Sequence, residues 1–225
     1  MNVIFRKSID YIRAFKLFSL TSRTDLFDRL PQTKWYRSAL EQFVELLHPM
    51  PSDKFLDIGC GAGWNVLWTS KHVKQAIGLD RSEPMIKRAN FNLRSGNYNN
   101  ASFVVGDAMK LPFPDNEFDL VTGTMLLPVL SNPEQAITEM IRVLRQGGKL
   151  GIFVPSPSLT PSNAKSFAKE HALKGFDHNT LITWSLTGNR FSEADLHNLV
   201  ATHLPKNVEV HQALNGLALM CIIEK

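Results

Sequence analysis

From residue 52 onward, short runs of consecutive apolar residues alternate with longer stretches in which apolar residues recur every third or fourth position. The runs read as strands buried on both faces, and the stretches as helices with one buried side. Strands are predicted over residues 54–58, 75–79, 102–105, 118–123 and 149–154, and helices over about 63–72, 83–95 and 133–145. Such alternation is the mark of parallel strands joined by crossover helices. The third helix runs into "RQGG", where Gly147 is placed to take a left-handed C-terminal cap. Near the end, "VEVHQALNGLALMCIIEK" carries two strand patterns around Asn215 and Gly216, a pair suited to a tight hairpin turn. The sheet is therefore expected to close with an antiparallel strand.

The flanking segments follow other patterns. Residues 3–20 place Phe5, Ile9, Ile12 and Phe15 at helical spacing with Arg6, Lys7, Arg13 and Lys16 among them, which predicts a basic amphipathic helix. It has two readings, a cover packed over the rest of the chain or a peripheral contact with a membrane surface. A second helix is predicted from Thr33 to about Leu47, stopped ahead of Pro49 and Pro51. Residues 155–191 interrupt the alternation; Thr160 and Pro161 start a helix there and Gly175 ends it. "SEAD" at residues 192–195 is a capping box that opens a further helix.

Length and composition narrow the class. A chain of 225 residues suits one α/β domain with small additions. Its 44% hydrophobic and 20% charged residues are ordinary for a soluble protein, and no apolar run approaches the roughly 18 residues of a membrane span. A net charge of +4 is too small and scattered to call for nucleic acid. Two cysteines, Cys60 and Cys221, form neither a disulfide framework nor a metal-binding pattern, so a reducing, cytoplasmic setting and no metal are expected.

The candidate chemistry sits in "KFLDIGCGAGWNVLW", residues 54–68, where a strand runs into Gly59, Gly61 and Gly63 and then a helix. Bare backbone there lets a ligand approach N–H groups closely. Neither the G-x-G-x-x-G spacing of a dinucleotide loop nor the G-x-x-x-x-G-K of a phosphate loop is present. Asp57, Asp80 and Asp107 each stand at the carboxyl end of a predicted parallel strand, the edge where open α/β sheets bind ligands. Three carboxylates without a cationic cluster select a cationic or donor-rich ligand. Asp80 has a second reading as cap for the helix beginning near Ser82, with Ser82 itself the better cap, and Asp107 a second reading as a turn residue. Cys60 reads as loop filling and Cys221 as core. Trp64 and Trp68, four apart, read as one helix face packed on the sheet.

Four stretches in order, "FLDIGCGAGWN", "AIGLDRSEPMI", "VVGDAMKLPFPDNEFDLV" and "EMIRVLRQGGKLGIFVPS", resemble the class I S-adenosylmethionine-dependent methyltransferases, in particular the type 11 small-molecule group. The resemblance covers about residues 52–155. It implies an α/β, Rossmann-like, doubly wound, seven-stranded and mostly parallel sheet with a C-terminal antiparallel hairpin. It also implies S-adenosyl-L-methionine as cofactor. Gly59, Cys60 and Gly61 would pass close to the methionyl part, with Asp57 orienting the loop and reaching the amino group. Asp80 would accept the ribose hydroxyls and Asp107 the adenine amino group, with Ala108 facing the ring, and Thr124 would also belong to the cofactor site. Arg81 departs from the apolar residue common after the second acid; its guanidinium could stack on adenine.

The same resemblance divides residues 1–225 into a helical cap (1–50), a cofactor-binding core (52–155), an insertion over the acceptor site (156–191) and a closing helix and hairpin (192–225). Trp35, Tyr36 or Arg37 could line the site from the cap, whereas His171 and His178 read as surface helix positions. "TGTMLLPVL" supplies an apolar wall and no base, which points to a small, apolar or aromatic acceptor and leaves the catalytic group unassigned. The alternatives are an RNA or protein methyltransferase, or a module that binds the cofactor without catalysis.

Overall fold

A computed structural model describes residues 22–225; the basic helix expected over residues 3–20 lies outside them. Its seven strands are β1 (Lys54–Ile58), β2 (Gln75–Asp80), β3 (Ala101–Val105), β4 (Phe118–Thr124), β5 (Leu144–Pro155), β6 (Asn207–Ala213) and β7 (Ala218–Glu224). They lie in the order β3-β2-β1-β4-β5-β7-β6. β1 to β5 run parallel, and β7 pairs antiparallel with both β5 and β6. This is the doubly wound, mostly parallel sheet with a closing hairpin that the sequence implies. Ala213 pairs with Ala218 across the hairpin, and Asn215 and Gly216 in its loop take positive φ of 54° and 83°.

The described helices are α1 (Arg23–Arg29), α2 (Lys34–Leu47), α3 (Trp64–Thr69), α4 (Glu83–Arg94), α5 (Pro133–Val143), α6 (Pro161–Glu170), α7 (Gly175–Trp184) and α8 (Glu193–Ala201). Residues of α2, α3, α4, α6 and α7 share a core with Phe55 and Phe153, on one face of the sheet. Those of α5 and α8 share a core with Leu56, Ile58 and Ile152, on the other. Consecutive strand residues thus serve opposite cores, which is why the strands read as unbroken apolar runs. Leu56, Ile58, Phe55 and Phe153 are fully buried.

Two boundaries differ from expectation. α5 stops at Val143 and Leu144 is already extended, so "RQGG" belongs to β5 and Gly147 caps no helix. Phe118 pairs with Leu144 while Leu120 pairs with Lys149, so the glycines form an irregularity in the ladder. Gly147, at φ 69°, donates its N–H to the Lys225 carbonyl at 2.9 Å. In the insertion, the helix opened by Thr160 ends at Glu170, and Gly175 begins a second helix instead of ending the first. α7 carries apolar residues without a single buried stripe, so helical periodicity had no signal to give there.

Candidate functional site

Chain order reverses between β1 and β4: β2 and β3 lie on one side of this pair and β5 on the other. The crevice of an open α/β sheet forms at that point, above the carboxyl ends of the strands. β1 delivers Asp57 and then the glycine loop to it. The Gly59 and Cys60 N–H groups both donate to the Leu79 carbonyl at the end of β2, at 2.7 and 3.0 Å. Gly61 N–H donates to Asp80 Oδ2 at 3.0 Å, and Ser82 N–H to Asp80 Oδ1 at 2.8 Å. One carboxylate thus fastens the loop to β2 and also starts α4. Ser82 makes no side-chain capping bond, against the expectation that it would be the better cap.

The glycines differ in what surrounds them. A Cβ on Gly59 would stand 2.9 Å from Leu126, and one on Gly63 would stand 2.5 Å from Phe103, so both are packed from below. At Gly61 (φ 54°) no heavy atom lies within 4 Å of that position. The middle of the loop is therefore bare backbone facing open space, a cradle that a side chain would fill. Cys60 packs beneath it over Gly78; burial, reinforced by Asp57 and Asp80, holds its thiol well above the usual range and hence protonated, as loop filling requires.

Asp57 is buried at 2% exposure and accepts a hydrogen bond from Thr122 Oγ1 at 2.7 Å. Burial pushes its carboxyl up to about 7, opposed by the Thr122 bond and a looser approach of Asn65 and reinforced by the Asp80 charge. Asn65 Nδ2 has no partner of hydrogen-bonding geometry. Asp57 also raises the Tyr36 hydroxyl, after the larger effect of burial. Tyr36 reaches this rim from α2, its ring 6.1 Å from that of Phe153, and Phe153 is the register partner of Thr124. The Thr124 hydroxyl is buried and unpartnered.

Asp57, Thr122, Thr124 and Tyr36 thus share one side of the crevice, while Asp80 and the loop form its floor. Of the other two residues expected from the cap, Trp35 stacks on Trp184 at 5.6 Å, and Arg37 pairs with Glu41 at 2.9 Å. Asp107 is exposed, and its Oδ1 accepts the Met109 N–H at 2.9 Å, which is the turn role; Ala108 beside it is buried. Arg81 is exposed and has no polar partner among the described residues. His171 stacks on Phe167 at 3.9 Å on the exterior of α6. Thr122 escaped the sequence reading because only strand register places it beside Asp57.

The bare loop, acidic rim and switch-point crevice match what the sequence resemblance implies, and comparison with known proteins points the same way. Residues 56–152 match the family model described as methyltransferase domain. An uncharacterized methyltransferase of Schizosaccharomyces pombe is 37% identical over 105 residues, covering 43% of this chain and 38% of that protein. A demethylmenaquinone methyltransferase of Symbiobacterium thermophilum is 34% identical over 120 residues, 52% of this chain and 46% of that protein. The chain spans less than half the length of these relatives. The solved structure of a SAM-dependent methyltransferase from Aquifex aeolicus shares the fold, with a TM-score of 0.63 at 18% identity over 93% of this chain and 97% of that one.

Proposed function

We propose that the protein transfers a methyl group from S-adenosylmethionine to a small acceptor that is apolar or aromatic. The observation that carries this reading is Gly61: open space above its backbone, with Asp80 on one side and buried Asp57 on the other. The residues present fit the cofactor. Each Asp80 oxygen makes one hydrogen bond within the chain and keeps capacity for ribose hydroxyls. Asp57 stands where an ammonium group would restore its charged form. Asp107 keeps its Oδ2 for the adenine amino group, with Ala108 at the ring and Arg81 free to lie across it.

When bound, the cofactor supplies a methyl group already activated by its sulfonium. The chain's task is then to align the acceptor and exclude water, which is worth several kcal/mol through effective concentration, and a base is needed only for acceptors that must lose a proton. Leu126, packed against Gly59, and the ring of Tyr36 near Asp57 give the rim an apolar and aromatic character. The relative named for demethylmenaquinone supports an acceptor of that kind. On this reading the chain works as one methyltransferase domain in the cytoplasm, with residues 156–191 over the acceptor; no described helix is long and apolar enough to cross a membrane.

The test supplies the protein with cofactor labelled in the methyl group and a whole-cell lysate that is afterwards separated into metabolite, lipid, RNA and protein fractions. Label is expected in small organic-soluble products and absent with Asp80→Ala. Label found only in RNA or protein contradicts the small-acceptor reading.

A further inference from the structure

The glycine loop is held on its strand side by Leu79 and Asp80, but its helix side is held by a residue far away in sequence. Asn92, on α4, donates from its amide nitrogen to the carbonyl of Ala62, between Gly61 and Gly63, at 3.0 Å. The same nitrogen donates to Asp28 Oδ1 at 2.8 Å. Trp64, the first residue of α3 and the next after the loop, donates its indole N–H to the same oxygen at 2.9 Å. Arg88 reaches the other oxygen of Asp28 at 3.4 Å and pairs with Asp25 at 2.7 Å. Asp28 is buried at 8% exposure, and all of these partners lie on elements flanking the loop.

We propose that Asp28 is a positioning residue for cofactor binding: through Asn92 and Trp64 it fixes the Ala62 carbonyl and the start of α3, and so the path of the loop at Gly61. This rests on the reading above that the loop carries S-adenosylmethionine. A carboxylate accepts from both donors at once, and without it two buried N–H groups are left to find other partners. The groups nearest to hand are the carbonyls of the loop and of the turn that follows it. Loop distortion therefore precedes any loss of the sheet beneath, whose own bonds do not involve Asp28. The contact also ties α1, the first described element, to the cofactor site.

S-adenosylhomocysteine is titrated calorimetrically into the intact wild-type chain and its variants, with thermal midpoints measured in parallel. Asp28→Ala is expected to weaken binding about tenfold or more. Asp28→Asn, whose side-chain carbonyl still accepts from Trp64 and Asn92, is expected to stay within a few-fold of wild type. Lys225→Met, which lowers stability at the opposite edge of the sheet, is expected to bind as wild type does. Trp64→Phe keeps the ring and deletes only the N–H; it decides the matter if Asp28→Ala does not fold, with a several-fold loss expected. Folded Asp28→Ala, or Trp64→Phe in its place, binding with wild-type affinity overturns the proposal. Equal losses in Asp28→Ala and Lys225→Met also overturn it, since that pattern is a general loss of stability. Wild type that binds no S-adenosylhomocysteine contradicts the cofactor reading itself, an outcome distinct from the others.

Discussion

Asp57, in the candidate site, is held at the expense of the fold. Its carboxyl ionises at about 7 in the folded chain, against 3.8 when unperturbed. Across that window the folded protein holds a proton that the unfolded chain has released, so stability falls as pH rises from about 4 to about 7 and is level above. The full effect is at most about 4 kcal/mol, from a shift of about three units. Asp57→Asn keeps an oxygen for Thr122 and removes the titration. Urea unfolding is expected to show the variant more stable than wild type at pH 8, the difference shrinking toward pH 5; parallel curves for the two proteins would contradict the assignment. The identity of Asp57 was legible as an acid ahead of bare backbone. Its burial and its bond to Thr122 were not, because both follow from strand register, which a single sequence leaves open.

At the scale of elements, the loop separates two glycines that look equivalent in sequence. Gly61→Ala meets no neighbour but takes a left-handed backbone, expected to cost about 1–2 kcal/mol in urea unfolding. Its added methyl group enters the cradle, so cofactor affinity should fall far more than stability does. Gly63→Ala meets Phe103 and Ala89 as well as a positive φ, and should be the more destabilised of the two by about 1–3 kcal/mol. The amino edge of the sheet has its own fastening. Lys225 Nζ donates to Asn116 Oδ1 at 2.9 Å and to the Ile141 and Leu144 carbonyls at 2.8 and 2.6 Å, closing the end of α5. Lys225→Met is expected to lose about 1–2 kcal/mol, read from the urea midpoint. Strands and crossover helices could be read from the sequence because burial on two faces dictates composition. "RQGG" could not, since glycine after a helix suits a cap and a ladder irregularity alike, and only pairing with β4 and Lys225 decides between them.

The whole molecule places its candidate site where the order of strands reverses, and the sequence indicates this through three acids at strand ends. The glycine loop and Asp80 stood out because their chemistry is local to one strand-to-helix turn. Asp28 did not, since its partners lie 36 to 64 residues away and meet only when α1 packs against α3 and α4. The central claim is that bare backbone at Gly61, held by Asp80 beside Asp57, is a site for the sulfonium nucleoside. Calorimetric titration of S-adenosylhomocysteine into wild type and Asp80→Ala tests it most directly. Saturable binding of one equivalent by wild type, weakened at least about tenfold in a folded Asp80→Ala, is the predicted result. No binding by wild type, or equal affinity in the two proteins, would contradict it.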